Sequence, residues 1–412
     1  MIQQERVTVL HDGEVKEGEY VLYWMQAAQR VEYNHALVWA IRQANELGVG
    51  VVVYFGICDD YTDANLRHYY FMLEGLAEVG EQLEKQGIKF VLGHESPDEG
   101  ALRLAKDACV AVVDAGHIKI QRKWREKAAE NVDCKFYEVE TNLIVPIEQA
   151  SEKEEFSAGK KKKKITGKLD NYMHKLTHTQ VKKKTAGMKI KSFDISDIDK
   201  AVGKLKIDKS VGRVESYRGG TSRAKSELRE FIKNKLGSYE SDRNDPVKEG
   251  QSNMSPYLHF GQVSPLWIAL EIEKAGGKGK DAFLEELIVR RELSHNFIYY
   301  DEDYDNPEGL HAWSKRTLNF HDKDKREFVY SLEEFEKGQT HDVYWNSAQK
   351  EMVLTGKMHG YMRMYWGKKI LEWSRDWREA FKIALYLNNK YELDGRDPNS
   401  YTGVAWCFGK HD

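Results

Sequence analysis

Apolar positions in the first 140 residues alternate between short continuous runs and helical spacings. Apolar residues recur with helical periodicity near 31–47, 64–86, 98–107 and 119–131. The continuous runs, which predict buried strands, lie at 20–25, 51–57, 89–92, 109–113 and 134–139. Strands that alternate with helices predict a parallel sheet with helices on both faces. We therefore expect an α/β, Rossmann-like domain over residues 1–150, with any ligand at the carboxyl ends of its strands.

From residue 216 to residue 412 the pattern is almost entirely helical. Helical spacings occur near 222–236, 264–275, 280–299, 343–355, 357–374 and 376–390, and strand-like runs are nearly absent. Ser264 followed by Pro265 is typical of a helix start, because serine caps the first turn and proline suits its first position. This part of the chain is predicted to be a second, all-α domain.

One predicted helix, at 358–373, carries an aromatic stripe. Its apolar residues advance in steps of four, four, four and three, and they are Met358, Met362, Trp366, Ile370 and Trp373. Such a stripe usually packs in a core. Arg363 and Met364 lie on another face of the same helix, and a buried arginine beside tryptophans would also suit an anionic or redox-active neighbour.

Residues 151–215, between the two domains, are rich in lysine and poor in large apolar side chains. Five consecutive lysines occupy 160–164, and others follow at 168, 175 and 182–184. This composition predicts an irregular, partly mobile, basic interdomain linker. A lysine run is commonly just a solvated surface, but it could instead contact the phosphates of a nucleic acid independently of sequence.

Composition and charge exclude several classes of protein. The 412 residues can bury two cores, and 63 basic against 66 acidic side chains give a net charge of −3. The four cysteines stand apart without metal-ligand spacing, so no metal site is expected, and a reducing compartment is indicated. The chain has neither a signal segment nor an apolar run of roughly 18 residues, so we expect a soluble, cytoplasmic protein. No dinucleotide fingerprint and no phosphate-binding loop of the Walker type follow the first strand.

Three groups of residues could carry chemistry. The segment 251–257 places hydroxyl and amide side chains before Pro256, which suits a phosphate but also an ordinary helix cap. Glu286 precedes Arg290 by four residues, which is compatible with a surface ion pair or with a carboxylate facing a substrate. Asp394 lies in a turn, where it could neutralise Arg363 if both are buried.

Five blocks of the sequence together resemble the class II cyclobutane pyrimidine dimer photolyases, within the photolyase/cryptochrome superfamily. They are YWMQAAQRVEYNHAL (23–37), NDPVKEGQSNMSPYLHFGQVS (244–264), FLEELIVRRELSHNF (283–297), HDVYWNSAQKEMVLTGKMHGYMRMYW (341–366) and LDGRDPNSYTGVAW (393–406). The resemblance covers nearly the whole chain. It implies light-dependent repair of cyclobutane pyrimidine dimers in UV-damaged DNA, by electron transfer from reduced FAD held in the helical domain.

By this resemblance, several residues should bind FAD. Arg363 and Asp394 match an ion pair packed against the isoalloxazine, and Asn388 matches a residue facing flavin N5. Arg291 matches a further phosphate contact. The positions that match the pyrophosphate cradle are Tyr239, Gln251, Ser252, Asn253, Met254 and Ser255.

The same resemblance assigns residues to the substrate and to electron transfer. Glu286 matches the carboxyl that bonds the dimer and stabilises its radical anion, while Met364 and Trp406 match residues that pack on the flipped-out dimer. Trp345, Trp366 and Trp373 match a triad that relays electrons to oxidised flavin. The α/β domain is expected to hold an antenna chromophore, for which a deazaflavin is one candidate.

Two features depart from the family pattern. Arg290 stands where some members place a tryptophan against the substrate. The family also continues for several dozen residues beyond position 412, so we expect either a truncated sequence or a weaker grip on duplex DNA. We expect a monomer.

Three other functions remain open at this point. A cryptochrome-like photoreceptor without repair activity is the first. A (6-4) photolyase would need paired histidines, for which His259 and His359 are candidates outside the expected pattern. The third is a flavoprotein or nucleotide-binding protein without light chemistry.

Overall fold

The α/β part of the molecule is built on a six-stranded sheet. The computed structural model describes residues 2–411. The strands are β1 (Val7–His11), β2 (Tyr20–Trp24), β3 (Gly50–Ile57), β4 (Lys89–His94), β5 (Ala108–Asp114) and β6 (Lys135–Val139). Their order is β1-β6-β5-β2-β3-β4, and β1 alone of these six runs antiparallel to its neighbour, β6. The parallel sheet that the alternating pattern predicts is therefore present, with β1 added at one edge.

Helices cover both faces of this sheet, as predicted. They are α1 (His35–Leu47), α2 (Leu66–Lys85), α3 (Pro97–Ala105) and α4 (Lys119–Asn131). Successive side chains of β2 enter opposite cores. Val21 and Tyr23 pack in the core that contains residues of α1 and α2, whereas Leu22 and Trp24 pack in the core that contains residues of α3 and α4. Burial on both faces explains why β2 reads as a continuous apolar run.

The basic segment between the domains is more ordered than its composition predicts. It follows α5 (Ile147–Ala150) and contains α6 (Ala158–Thr166), α7 (Leu169–Tyr172) and α8 (Ile198–Lys204). Its extended part lies along the edge strand β4, where Phe193 N–H donates to Leu92 O (2.7 Å) and Lys89 N–H donates to Thr185 Oγ1 (2.9 Å). The irregularity predicted for this segment is therefore wrong at α6, α7 and α8, whereas its mobility stays a prediction.

The lysine run at 160–164 lies within α6 and is not uniformly solvated. Lys161 is only 1% exposed, and its ammonium interacts with the carboxylates of Glu292 and Glu155. Lys162 Nζ forms an ion pair with Glu285 Oε2 at 2.9 Å. Lys160 and Lys163 of this run are exposed, and for them a phosphate contact stays a prediction.

The remaining elements are helical. They are α9 (Thr221–Asn234), α10 (Tyr239–Asp242), α11 (Ser255–His259), α12 (Pro265–Ala275), α13 (Lys280–Leu284), α14 (Arg291–Tyr300), α15 (Ala312–Phe320), α16 (Leu332–Lys337), α17 (Val343–Thr355), α18 (Gly360–Trp373), α19 (Trp377–Tyr391) and α20 (Pro398–Cys407). Short 3₁₀ turns occur at Gln4–Arg6, Leu236–Ser238 and Pro307–Gly309.

Two predicted helices differ in detail from the structure. The pattern at 280–299 is divided by a π-helical turn, Glu285–Arg290, between α13 and α14. The helix with the aromatic stripe begins at Gly360, so Met358 precedes it, although Met358 is buried. Within the described residues 2–411, no helix is both long enough and apolar enough to cross a membrane.

Buried arginines join the two parts of the molecule. Arg67 of α2 donates to the carbonyl oxygens of Tyr391 (2.6 Å) and Val353 (2.7 Å), at the ends of α19 and α17. Arg30, which follows β2, donates to Gly261 O at 2.9 Å. The bonds of Arg67 satisfy carbonyl groups at helix ends that have no partner within their own helices. They hold the helices of the second domain against the sheet.

Candidate functional site

A cavity in the helical domain is lined by six of the site residues predicted from the sequence. Its empty volume is about 980 Å³, including the part open to solvent, which is in the range of sites for large organic ligands. Its walls come from α18, α19, α20 and the π-helical turn. The predicted residues that line it are Glu286, Arg363, Met364, Trp366, Asn388 and Trp406, together with Arg290.

Arg363, on the cavity wall, forms ion pairs with two carboxylates that lie behind the wall. Its Nη2 lies 2.8 Å from Asp394 Oδ1 and 2.8 Å from Glu392 Oε2. The pKa of Arg363 is raised despite its burial, because Asp394 and Glu392 favour its charged form. The predicted pair of Arg363 and Asp394 is thus present, and Glu392 is a second carboxylate that the sequence patterns did not indicate.

Asn388 is fixed by its neighbours in α19 and α20. Its Nδ2 donates to Ser400 Oγ, and Ser400 Oγ in turn donates to Asn389 Oδ1 at 3.3 Å. The side chain is 6% exposed and faces the cavity. This network holds an amide in one orientation at the wall.

The mouth of the cavity carries the residues predicted to face a substrate. Glu286 Oε1 accepts from Arg243 Nη1 at 3.0 Å, so Glu286 pairs with Arg243 and not with Arg290. The π-helical turn explains this, since its wider winding removes the ordinary i, i+4 alignment. The guanidinium of Arg290 instead lies 5.7 Å from the ring centre of Trp406, which is 36% exposed.

Three tryptophans lead from the cavity wall toward the surface. The rings of Trp366 and Trp345 are stacked with centres 6.3 Å apart, and Trp345 lies 6.2 Å from Trp373. Trp345 of α17 therefore bridges the two tryptophans of α18. Trp345 Nε1 donates to Trp366 O (3.0 Å) and Trp366 Nε1 donates to Gln349 Oε1 (2.8 Å), which fixes both indoles. Beyond Trp373, the partly exposed ring of Tyr330 lies 5.9 Å away.

The predicted phosphate cradle at 251–255 consists of the loop that precedes α11 and of Ser255, the first residue of α11. Gln251 Oε1 accepts from Lys357 Nζ (3.0 Å) and from Gly360 N–H (3.3 Å), which ties the loop to the start of α18. Asn253 adopts a left-handed backbone conformation with φ of 56°, and its neighbour Met254 is buried. The side chain of Ser255 bonds to Asp394, so the cradle also contacts the Arg363 cluster.

The residues predicted to contact phosphate all lie outside the lining of this cavity. Gln251 and Asn253 line a different cavity, and Tyr239 and Arg291 pack elsewhere. Tyr239 packs edge-on against Phe231 and Phe283, with ring centres 5.5 Å and 5.4 Å away, and burial raises its pKa to about 12. Arg291 points into the interface between the domains, where its Nη1 donates to Asn142 O at 2.9 Å. Arg291 therefore lies outside the lining of this cavity, and its phosphate contact stays a prediction.

A second cavity lies at the carboxyl ends of β2 and β3, where the strand pattern placed any ligand of the α/β domain. Its empty volume is about 740 Å³, and Arg396 and His259 of the helical domain close it. Several polar atoms among its lining residues are buried without a hydrogen-bond partner. They are Trp24 Nε1, Gln26 Nε2, Gln29 Oε1 and Arg396 Nε. Buried polar atoms without partners are rare in native proteins, so this cavity suits a ligand with polar edges.

Glu392 and Lys357 are functional candidates that the sequence reasoning missed. Both are buried beside Arg363, yet neither lies in a pattern typical of a site. The one signal available was the proximity of Glu392 to Asp394 in the sequence. Since Arg363 is 29 positions away from Glu392, only the fold shows that they meet.

Comparison with known proteins gives consistent matches. The sequence pattern of the family described as DNA photolyase matches residues 21–183. The chain is 49% identical over 416 residues to the deoxyribodipyrimidine photo-lyase of Methanothermobacter thermautotrophicus, an alignment that covers 100% of this chain and 91% of that protein.

Solved structures share the fold at low sequence identity. A class III photolyase from Agrobacterium tumefaciens superposes with a TM-score of 0.74 at 18% identity, covering 97% of this chain and 81% of that one. An archaeal photolyase from Sulfolobus tokodaii, solved with two FAD molecules, gives a TM-score of 0.70 at 17% identity, with 95% and 83% covered. The α/β domain followed by a helical domain is therefore the architecture of these proteins.

Proposed function

The chain belongs to the DNA photolyase family, whose curated members are named deoxyribodipyrimidine photo-lyases, and we propose that it is a class II enzyme that repairs cyclobutane pyrimidine dimers in DNA with light. One observation carries this proposal. A cavity of the size of a large cofactor site has Arg363 and Asn388 on its inner wall, Glu286 and Trp406 at its mouth, and Trp366 leading away from it.

The cavity fits FAD in size and in chemistry. Arg363 offers a positive charge and Asn388 an amide, which suit the polar edge of an isoalloxazine. Space is kept open by Gly403 of α20, since a Cβ built there meets no atom within 4 Å. The chemistry that reduced FAD supplies in such a site is light-driven donation of an electron to the dimer. Arg363 and Asn388 would hold and orient it, while Gln251 and Asn253 line a different cavity and their phosphate contact stays a prediction.

Residues at the mouth suit a flipped-out pyrimidine dimer. Chemistry on a base requires that the base leave the helical stack, and a pocket with flat, apolar walls compensates for the lost stacking. Met364 and Trp406 provide such walls, and Glu286 provides an oxygen for hydrogen bonding to a pyrimidine carbonyl. Arg290, seated on Trp406, would contact the dimer or its phosphate.

The tryptophans suit a relay that reduces oxidised flavin. Trp366 is at the cavity wall and Trp373 is near Tyr330, so electrons would enter from the outer end and pass through Trp345. The second cavity would hold the antenna chromophore. Its unpartnered polar atoms suit a flavin or deazaflavin, both of which have polar ring edges.

A photoreceptor without repair activity is the second candidate. It would need the flavin cavity and the tryptophans but no site for a dimer. The combination of Glu286, Met364 and Trp406 around one mouth favours repair.

Filling the cavity should remove FAD without unfolding the protein. Because Gly403 faces open space, Gly403→Leu places its side chain in the cofactor volume. Overpacking costs about 1–3 kcal/mol, so FAD affinity should fall by about tenfold to a hundredfold. The measurement is flavin absorbance per mole of purified protein. Gly203→Leu in α8, where the added side chain also meets open space, is the control and should keep wild-type flavin content.

Repair itself is tested with an oligonucleotide that contains one thymine dimer. Blue light should remove the dimer in the presence of the reduced, flavin-loaded protein, and darkness should not. Glu286→Gln should slow repair by about tenfold to a hundredfold, because a hydrogen bond to a group that becomes charged is worth about 1.5–3 kcal/mol.

Glu285→Gln is the matched control for that experiment. Glu285 is adjacent in the chain but pairs with Lys162, so its replacement should leave repair unchanged. Bound flavin without light-dependent dimer loss would refute repair and favour the photoreceptor.

Replacing the inner tryptophan should separate flavin reduction from repair. Trp366→Phe should abolish most light-driven reduction of oxidised flavin, while protein reduced chemically beforehand should repair dimers at the wild-type rate. Trp377→Phe is the control, since Trp377 is equally buried but its Nε1 bonds to Asn319, away from the three tryptophans. Absorbance at the flavin bands under illumination measures the first effect. Unchanged photoreduction in Trp366→Phe would contradict the relay.

A further inference from the structure

Behind the cavity wall lies a buried cluster of two cations and two carboxylates. Arg363 faces the cavity, and Asp394, Glu392 and Lys357 lie behind or beside it. The side chains of Asp394 and Glu392 are 7% and 1% exposed, respectively. Charges at this depth are screened weakly, so the total charge of the cluster influences anything that binds against Arg363.

Asp394 alone is sufficient to pair with Arg363. Its two oxygens lie 2.8 Å and 3.1 Å from Arg363 Nη2. Glu392 Oε2 contacts the same nitrogen at 2.8 Å, and the Glu392 oxygens accept from Met358 N–H at 3.1 Å and 3.3 Å. Two carboxylates on one guanidinium nitrogen repel each other, and such pairs favour one ionised and one protonated member.

The surroundings shift the pKa values of the two carboxyl groups in opposite directions. Burial would raise the pKa of Asp394, but Arg363, Lys357 and Ser255 keep it below its usual value. Burial raises the pKa of Glu392 to about 8, since Arg363 and Lys357 compensate only in part and Asp394 opposes its ionisation. When the pKa values of two paired groups are shifted in opposite directions, the group with the raised pKa is the one that exchanges a proton.

Groups from several elements face Glu392, and all are part of this balance. Arg67 and His68 of α2 approach from the α/β domain, and His68 Nε2 lies 3.0 Å from Glu392 O. Tyr217 faces Glu392 from the segment before α9, and Glu351 of α17 acts on Lys357. Glu392 and Asp394 both contact Arg363, but only the pKa of Glu392 is raised. Glu392 is therefore the carboxyl of the pair that favours its protonated form.

The charge of the cluster depends on that proton. Burial and the neighbouring Arg363 lower the pKa of Lys357. With Lys357 protonated and Glu392 ionised, the charges of Arg363 and Lys357 are cancelled by those of Asp394 and Glu392. With Glu392 protonated, the cluster carries one net positive charge. We propose that Glu392 is a positioning residue that takes up one proton when the flavin in the cavity becomes anionic, so that Arg363 presents an uncompensated positive charge to it. This inference rests on the proposed binding of FAD.

The proton and electron balance is simple. Two electrons from a chemical reductant and one proton convert bound FAD to its anionic reduced form. One further proton moves from solvent to the Glu392 carboxylate, where it forms an O–H bond. Two protons are therefore taken up for two electrons wherever Glu392 is ionised in the oxidised protein.

The sign of the pH dependence follows from the raised pKa of Glu392. Below about pH 8, Glu392 already carries its proton in the oxidised protein, and reduction takes up one proton. At higher pH, up to the raised pKa that Glu392 has beside the anionic flavin, it is ionised before reduction and protonated after it, so reduction takes up two protons. The slope of the flavin midpoint potential against pH should therefore double at or above this pH.

The test is an anaerobic redox titration of the FAD-loaded protein with dithionite across this pH range. Wild type should show the doubled slope, whereas Glu392→Gln should keep the slope of one proton for two electrons throughout. Glu285→Gln is the control, because Glu285 pairs with Lys162 and not with a member of the cluster, and it should behave as wild type. Equal slopes in wild type and Glu392→Gln would overturn the proposal.

A second measurement does not depend on the variant. The infrared difference spectrum of wild type, reduced minus oxidised, should gain the C=O stretch of a protonated carboxyl at high pH. Absence of this band would also overturn the proposal. Failure of the wild-type protein to bind FAD at all would instead refute the proposed function, so the two failures are distinguishable.

Discussion

The buried ion cluster around Arg363 is the constraint on which the helical domain depends. One guanidinium joins α18 to the loop between α19 and α20, through Glu392 and Asp394. Breaking a buried ion pair by removing one partner costs about 3–5 kcal/mol, because the remaining charge is left uncompensated. The cluster also reaches the loop before α11, since Ser255 bonds to Asp394 and Lys357 bonds to Gln251. A change in any of these residues would therefore disturb the cavity wall and the cradle together.

Each domain contributes to a different cavity, and the two domains share an interface. The helical domain holds the cavity whose walls suit the flavin and the dimer, and the α/β domain holds a second cavity at the ends of β2 and β3. Arg396 and His259 of the helical domain close that second cavity, so neither domain builds it alone.

Much of the fold was predictable because burial leaves a strong pattern. The strands β2, β3 and β5 are buried on both faces and read as continuous apolar runs, whereas β1 was missed because it is a half-exposed edge strand. The helix α20 was missed because its first residues resemble a turn. Composition predicts that Lys161 is exposed, yet it is buried, and its charge interacts with Glu292, which is far away in the sequence.

The candidate site was predictable in part. Motif resemblance indicated Arg363, Asn388, Glu286 and Trp406, and the fold brings these to one cavity. The same resemblance could not indicate that Arg290 and Arg291 have different neighbours, because it gives no side-chain contacts and the π-helical turn interrupts the helical spacing before Arg291. Glu392 was missed for a similar reason, since its role depends on a shared contact with Arg363 and not on any local pattern.

The central claim is that light absorbed by a flavin in the helical cavity drives dimer repair. The most direct test is an action spectrum, in which the rate of thymine-dimer loss is measured at a series of wavelengths with the reduced, FAD-loaded protein. The account predicts that this rate follows the absorption of the bound reduced flavin, with any antenna adding its own band, and that it vanishes in darkness. Dimer loss in darkness, or a rate unrelated to chromophore absorption, would contradict it.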